Sequence, residues 1–481
     1  MRAAGEVARV LVEGGDLREL PYAAKEMEGF AKREMRALPP DPGIRPDQPA
    51  EVQAAALAQA EGLRRAAYRL RRLWLVLAEA RRQGRGRSER VGIVARGDGG
   101  LLIRLHERDA LPRDAPMLLL DADVEPLILD AFAPGARVEG VALRPNAHVL
   151  QVEVRRMSNH ARLTQPGLRR AWRDVIRREV LLDRAGPRGG VLVGATRKAV
   201  RAFFEDAGHD FEGLSEAAAS RLMLDTPLHG AWWTWFGGRS LGSNRYRDRS
   251  SVVVVGREEL PVEALEAHAQ ALFGDAPGEA LAFVEPDEAG RRLLPEAVVP
   301  YLMADGSARG AQVPIHPDPR VRAIQRQTRE LATRQLVERL RLAHAGYRKR
   351  VILGSSVPIP DLPVDRLVRW EELCSSRMEA ACAEAFLAKG AIRFSAPGLR
   401  ADAPGTFPTP EAAKCFLKRN PDARGWRSPT GWPPLVQADI RLATRGARAV
   451  PALILAPDAA TAREVATRAF GPLAAFERRG A

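Results

Sequence analysis

GVLVGATRKAVRAFF, residues Gly190–Phe204, is the stretch whose reading decides the fold class. Its first part is a short apolar run without polar alternation, the pattern of a strand buried on both faces of a parallel sheet. Thr196 stands where a helix N-cap would fall, and an amphipathic helix follows it. A strand passing directly into an amphipathic helix is the repeating unit of an α/β fold.

The same alternation extends in both directions. VEGVALRPNAHVLQVEV, from Val138 onward, is rich in strand formers, and Arg169–Arg184 is helical in pattern. Downstream, WFGGRSLGSNRYRDRSSVVVVGREELP begins at Trp235, a glycine-rich loop that feeds the strand Ser251–Val255. RELATRQLVERLR, residues Arg329–Arg341, puts Gln335, Arg339 and Arg341 on one predicted helix. The succession from about 137 to 360 predicts a parallel sheet with helices on both faces and right-handed crossovers. Ligands of such sheets meet the carboxyl ends of the strands. Upstream, Met117–Asp123 reads MLLLDAD, an apolar run ending in acidic and small residues, which predicts one more buried parallel strand.

In order and spacing these segments resemble motifs III to VI of a superfamily 2 (DEAD-like) helicase of the prophage and plasmid type. MLLLDAD resembles motif III, Gly190–Phe204 motif IV, the glycine-rich loop and its strand motif V, and Gln335-x-x-Glu338-Arg339-x-Arg341 motif VI. The resemblance covers about residues 95 to 375 and implies a RecA-like, P-loop-type lobe. It assigns Gln335, Arg339 and Arg341 to catalysis, with the arginines as finger candidates. Guanidinium suits that task, being planar, always charged and able to grip two phosphate oxygens. Asp121, Asp123, Gly242 and Asn244 fall on nucleotide-binding positions. Thr196, Arg197, Lys198, Gly237, Arg239 and Arg245 fall on nucleic-acid-binding positions. Two departures bear on activity. Glu338 occupies the motif VI glycine position, where a carboxylate can hold Arg339 in an ion pair and away from ATP. Asp123 follows Ala122 where the relatives have threonine.

No lysine in this sequence follows a glycine, so there is no G-K-[ST] phosphate-binding loop. The string nearest to a DEAH box, Asp287-Glu288-Ala289, lies after the motif V candidate instead of before motif III, and reads as a Pro-Asp turn opening a helix. The expectation is therefore a chain without motifs I and II, through truncation, a split gene or degeneration. ATP and Mg²⁺ then enter only if a separate polypeptide carrying Walker A and DEAH motifs supplies the first lobe.

Of 481 residues 46% are hydrophobic and 28% charged, enough for a substantial core. The net charge is +14, and 67 of the 74 basic residues are arginine, a balance that favours polyanionic partners as well as reflecting GC-rich coding. No apolar run reaches the roughly 18 residues needed to span a bilayer, and no signal-peptide pattern opens the chain. Cys374, Cys382 and Cys415 show no CxxC spacing and no nearby histidine pairs, so no metal site is expected and a reducing cytoplasm fits. Trp232, Trp233 and Trp235 precede the glycine-rich loop, where one or two rings are expected in the core and another can stack on bases. His229 reads as a hydrogen-bonding loop residue.

Residues 1–130 read as a helical region with the remnant of a first lobe, 131–370 as the second RecA-like lobe, and 371–481 as a linker with a small α+β domain. Two strands are expected in VQADIRLAT and AVPALILAP, then a helix opened by Asp458 and a short strand in PLAAFERR. The function implied is a DNA-binding, helicase-like protein, acting on single-stranded or forked DNA in the cytoplasm and unable to hydrolyse ATP alone. The alternative is a non-enzymatic replication accessory of a mobile element that keeps the lobe as a binding platform.

Overall fold

The computed structural model describes residues 2–38, 43–95, 101–106, 116–121, 123–141, 143–155, 157–185, 189–237, 244–276, 278–421, 423, 426 and 431–479. The chain forms two compact units. One comprises residues up to 138 with 260–295 and 315–325; the other comprises 139–259, 296–314 and 326–481.

The second unit is built on a six-stranded sheet of β1 (Ala147–Val152), β2 (Val191–Ala195), β3 (Trp232–Trp235), β4 (Ser251–Val254), β5 (Lys349–Leu353) and β6 (Arg366–Val368). The order is β6-β1-β5-β4-β2-β3 and every neighbouring pair is parallel. β2 and β4 are buried at every position, as their uninterrupted apolar sequence requires. Each fully buried valine in them contributes about 1.5–3 kcal/mol relative to exposure.

Alternate residues of β2 serve opposite faces. Val191, Val193 and Ala195 join a core with Trp172, Val175 and Ile176 of the helix Pro166–Ala185 and with Phe203 and Phe204 of the helix Arg197–Asp206. On the other face Gly194 lies under Leu336, so close that a methyl on Gly194 would collide with both Leu336 Cδ atoms. The chain is thus an α/β protein with an all-parallel sheet flanked by helices.

The segment containing Leu336 is wound unevenly. A π-turn at Gln327–Leu331 is followed by an α-helix at Ala332–Val337 and a 3₁₀ turn at Glu338–Leu340. It stops because Arg341 adopts the left-handed conformation, φ 53° and ψ 54°. A hairpin of Glu296–Leu302 and Ala308–Pro314 belongs to the same unit and is tied to the β5–β6 connection by Tyr301 Oη donating to Ser356 O at 2.8 Å.

The strands and helix expected near the C-terminus form. Leu435–Leu442, Val450–Leu455 and Leu473–Arg478 form an antiparallel sheet, and Asp458 caps the helix Ala459–Phe470. Ala391–Arg393 adds a fourth, edge strand that three residues were too few to announce. Trp426 and Trp432, 5.6 Å apart, anchor the neighbouring core.

In the first unit the helices Arg2–Val12, Ala24–Arg36 and Ala50–Arg82 pack on the antiparallel strand pair of Val91–Ala95 and Leu101–Leu105. The expected strand at Met117–Asp123 does not form. Residues 116–121 are irregular, with Leu118 81% and Leu120 87% exposed. A buried parallel strand needs hydrogen-bonded neighbours, and among the described residues this unit has none in parallel register. Asp287 does make a turn, its Oδ1 accepting from Ala289 N and Arg291 N at 3.0 and 2.8 Å, but no helix follows. Gly290 at φ 73° turns the chain away. No helix among the described residues is long and apolar enough to cross a membrane.

Candidate functional site

A helix that follows a parallel strand returns antiparallel to it, so consecutive segments deliver side chains alternately to the two ends of the sheet. Thr196, Arg197, Lys198 and Gly237 follow β2 and β3 and stand at the carboxyl ends. Residues 244–250 lead into β4, and residues 339–348 lead into β5, so both lie at the amino ends.

At the amino ends the chain brings Asn244 and Arg341 together. Arg341 donates from Nε and Nη2 to Asn244 Oδ1 at 3.1 and 2.7 Å. Its left-handed backbone, uncommon for a residue with a side chain, turns the guanidinium out of the helix line toward the 244–250 loop. Arg339 is half-buried, and its guanidinium is pushed below the usual arginine range first by burial and then by the nearby charge of Arg341.

Glu338 does not hold Arg339. No ion pair joins them among the described residues. Burial pushes the Glu338 carboxyl up, and the neighbouring Arg334 and the backbone N–H of Leu342 oppose that shift. The 3₁₀ turn that ends the helix directs the adjacent side chains 338 and 339 apart. Arg339 and Arg341 are near enough for each to feel the other's charge, while Glu338 lies within range of Arg341 and Arg334; a pair of guanidinium groups is suited to a phosphate. Gln335 is half-buried on the same segment.

Lys349, the first residue of β5, holds the two loops in register. It is 4% exposed, and its ammonium donates to Leu340 O at 2.8 Å and to Arg247 O. Asn146, just before β1, accepts from Lys349 N at 3.0 Å and donates its own N–H to Leu342 O at 3.2 Å. Sequence reasoning missed Lys349, although a lysine is itself a signal in a chain with only seven of them. Around this core lie Arg245 and Arg249, their guanidinium carbons 5.5 and 5.1 Å from the half-buried Trp232 ring. Trp233 and Trp235 are buried. Arg245 is further engaged by Asp225 at 2.9 Å and by Leu224 O at 2.9 Å. The sequence matches no family model, no curated protein and no solved structure.

The carboxyl ends present a different picture. Thr196 is the N-cap of Arg197–Asp206 by backbone conformation, but its hydroxyl makes no capping bond, and it is buried without a hydrogen-bond partner. Arg197 pairs with Glu216, donates to Ser220 Oγ at 3.0 Å and lies 5.6 Å from the Trp235 ring centre. Lys198 and Gly237 are exposed, Gly237 at φ 65°. Arg239 and Gly242 lie outside the described residues. Asp121 and Asp123 belong to the other compact unit, where Asp121 Oδ1 accepts from Asp123 N at 3.1 Å and Asp123 is buried. Of the residues singled out from sequence, Asn244, Arg245, Arg339 and Arg341 share the amino ends of the sheet, opposite to the carboxyl ends where they were expected to meet; Thr196, Arg197, Lys198 and Gly237 stand at the carboxyl ends and do not join them.

Proposed function

We propose that this chain is a DNA-binding, RecA-like second lobe of a superfamily 2 DNA helicase that does not hydrolyse ATP alone. The supporting observation is the meeting of Asn244 with Arg341. The two segments that resemble motifs V and VI lie 97 positions apart, yet converge on one hydrogen-bonded, arginine-rich site. The six-stranded all-parallel sheet is compatible with such a lobe.

Within this reading Arg339 and Arg341 contact phosphate and Asn244 holds the orientation of Arg341. Lys349 acts behind them as a positioning residue. These groups supply cationic contacts but no phosphate cradle, so ATP with Mg²⁺ is assigned to a joint with a separate polypeptide carrying Walker A and DEAH motifs. The DNA partner is single-stranded or forked, and the compartment is the cytoplasm.

The test is salt-dependent binding of the purified chain to labelled single-stranded and forked DNA, with ATPase assayed on the same sample. Binding with a steep salt slope and no turnover supports the reading. Absence of binding at low salt overturns it. Rescue of ATPase by a partner bearing the first-lobe motifs selects the split enzyme over a non-enzymatic platform.

A further inference from the structure

Arg169, Arg173 and Arg177 recur at four-residue spacing on the helix Pro166–Ala185 and therefore share one face, with Arg170 beside them. Together with Phe203, Asp206, Leu228 and His229 they line a cavity of about 440 Å³. That volume lies within the range of roughly 300–1,000 Å³ usual for small-ligand sites.

The charge in this cavity is unbalanced. Asp206 is the one carboxylate among its lining residues, and Arg169 occupies it with two hydrogen bonds of 2.6 and 2.9 Å. Arg173 reaches Asp174 at 2.9 Å. Arg177 stands 4.0 Å from Asp174 and 3.6 Å from Glu384, too far for hydrogen bonds, and its Nη1 is buried without an acceptor. Arg170 has no ion pair or hydrogen bond among the described residues.

His229 closes the cavity in a left-handed backbone conformation, φ 56°. Burial, then the charges of Arg177 and Arg173, pushes its imidazole down to about 3, so a neutral ring faces the arginines. Phe203 and Leu228 supply an apolar wall. A half-buried guanidinium whose Nη1 lacks an acceptor, on the same helix face as an exposed one without an ion pair among the described residues and opposite an apolar wall, matches a ligand with an anionic end and a flat apolar body.

We infer that this cavity binds a nucleoside monophosphate group, with its phosphate on Arg170 and Arg177 and its base along Phe203 and Leu228. The group can come from a free nucleotide or from the 5′-phosphorylated end of a nucleic-acid strand. None of Asn244, Arg339 or Arg341 takes part, so the site is independent of the helicase reading.

Isothermal titration of the full chain with AMP, adenosine and inorganic phosphate tests it. Saturable AMP binding is expected, with adenosine weaker by about tenfold or more. Arg170→Ala and Arg177→Gln should each weaken AMP by about tenfold, and Arg341→Ala should leave it unchanged. Because Arg170 is exposed, its replacement leaves the fold intact if Arg177→Gln does not. Equal affinities for AMP and adenosine, absence of saturable AMP binding, or an Arg170→Ala variant equal to the parent would overturn the assignment. Competition by a 5′-phosphorylated oligonucleotide, but not its 5′-hydroxyl form, identifies a strand end as the source; AMP binding without such competition identifies a free nucleotide. AMP binding that persists when DNA binding is absent would sink the helicase reading and leave this one standing.

Discussion

Arg341 and Asn244, 97 positions apart, are joined by two hydrogen bonds from one guanidinium to one amide oxygen, at 3.1 and 2.7 Å. The contact needs the left-handed turn at Arg341, because a continuing helix would carry the side chain along the helix face.

This turn separates function from stability. Arg341→Ala and Arg341→Gly both remove the guanidinium, but only glycine tolerates φ 53° without a steric penalty of about 1–2 kcal/mol. The glycine variant is expected to be more stable than the alanine variant by about 1 kcal/mol in urea titrations. Both should lose DNA affinity equally, with the slope of log K against log salt falling by about 0.7–0.9 if Arg341 touches a phosphate. Unchanged binding in both variants would remove Arg341 from the interface.

Replacement of Lys349 by methionine keeps the length of the chain but leaves Leu340 O and Arg247 O without their buried donor. Each unsatisfied acceptor costs about 1–3 kcal/mol, so the urea midpoint should fall clearly. Since both carbonyls belong to the loops that present Arg339, Arg341 and Arg245, DNA affinity should fall as well, although Lys349 itself is buried. A variant that loses stability and keeps full affinity would show that the loops need no such clamp.

Gly194→Ala tests the opposite face of the sheet. The added methyl meets Leu336, one turn of helix before Arg339 and Arg341. Overpacking of this kind costs typically about 1–3 kcal/mol. Pairing the change with Leu336→Ala should restore much of the stability, and a double-mutant cycle showing no coupling would contradict the contact.

The half-buried His229 makes the protein acid-sensitive. Its folded value is depressed to about 3 from 6.5, so between those values the unfolded chain binds a proton that the native chain refuses. Stability is therefore unaffected above about pH 6.5 and falls as pH drops toward 3, by at most about 1.4 kcal/mol per pH unit. His229→Asn keeps a side chain that accepts the left-handed backbone and removes this titration. Urea midpoints of the two proteins should diverge between pH 7 and 4, with the variant less sensitive to acid.

What the sequence determined by itself is local. The uninterrupted apolar runs at Val191–Ala195 and Ser251–Val254, each buried throughout, announce parallel strands, and Asp458 announces its helix. The pattern of Met117–Asp121 announced a strand equally well, yet none forms, because strand geometry is completed by neighbours that no local run can specify. Asn244 and Arg341 were legible as separate residues. That they meet, that Lys349 braces them, and that Glu338 turns away from Arg339 were decided only in three dimensions. The return of helix against strand sorted the singled-out residues between two ends of the sheet, and burial then determined which charges kept partners. Both effects depend on contacts between segments far apart in sequence, and no local pattern records them.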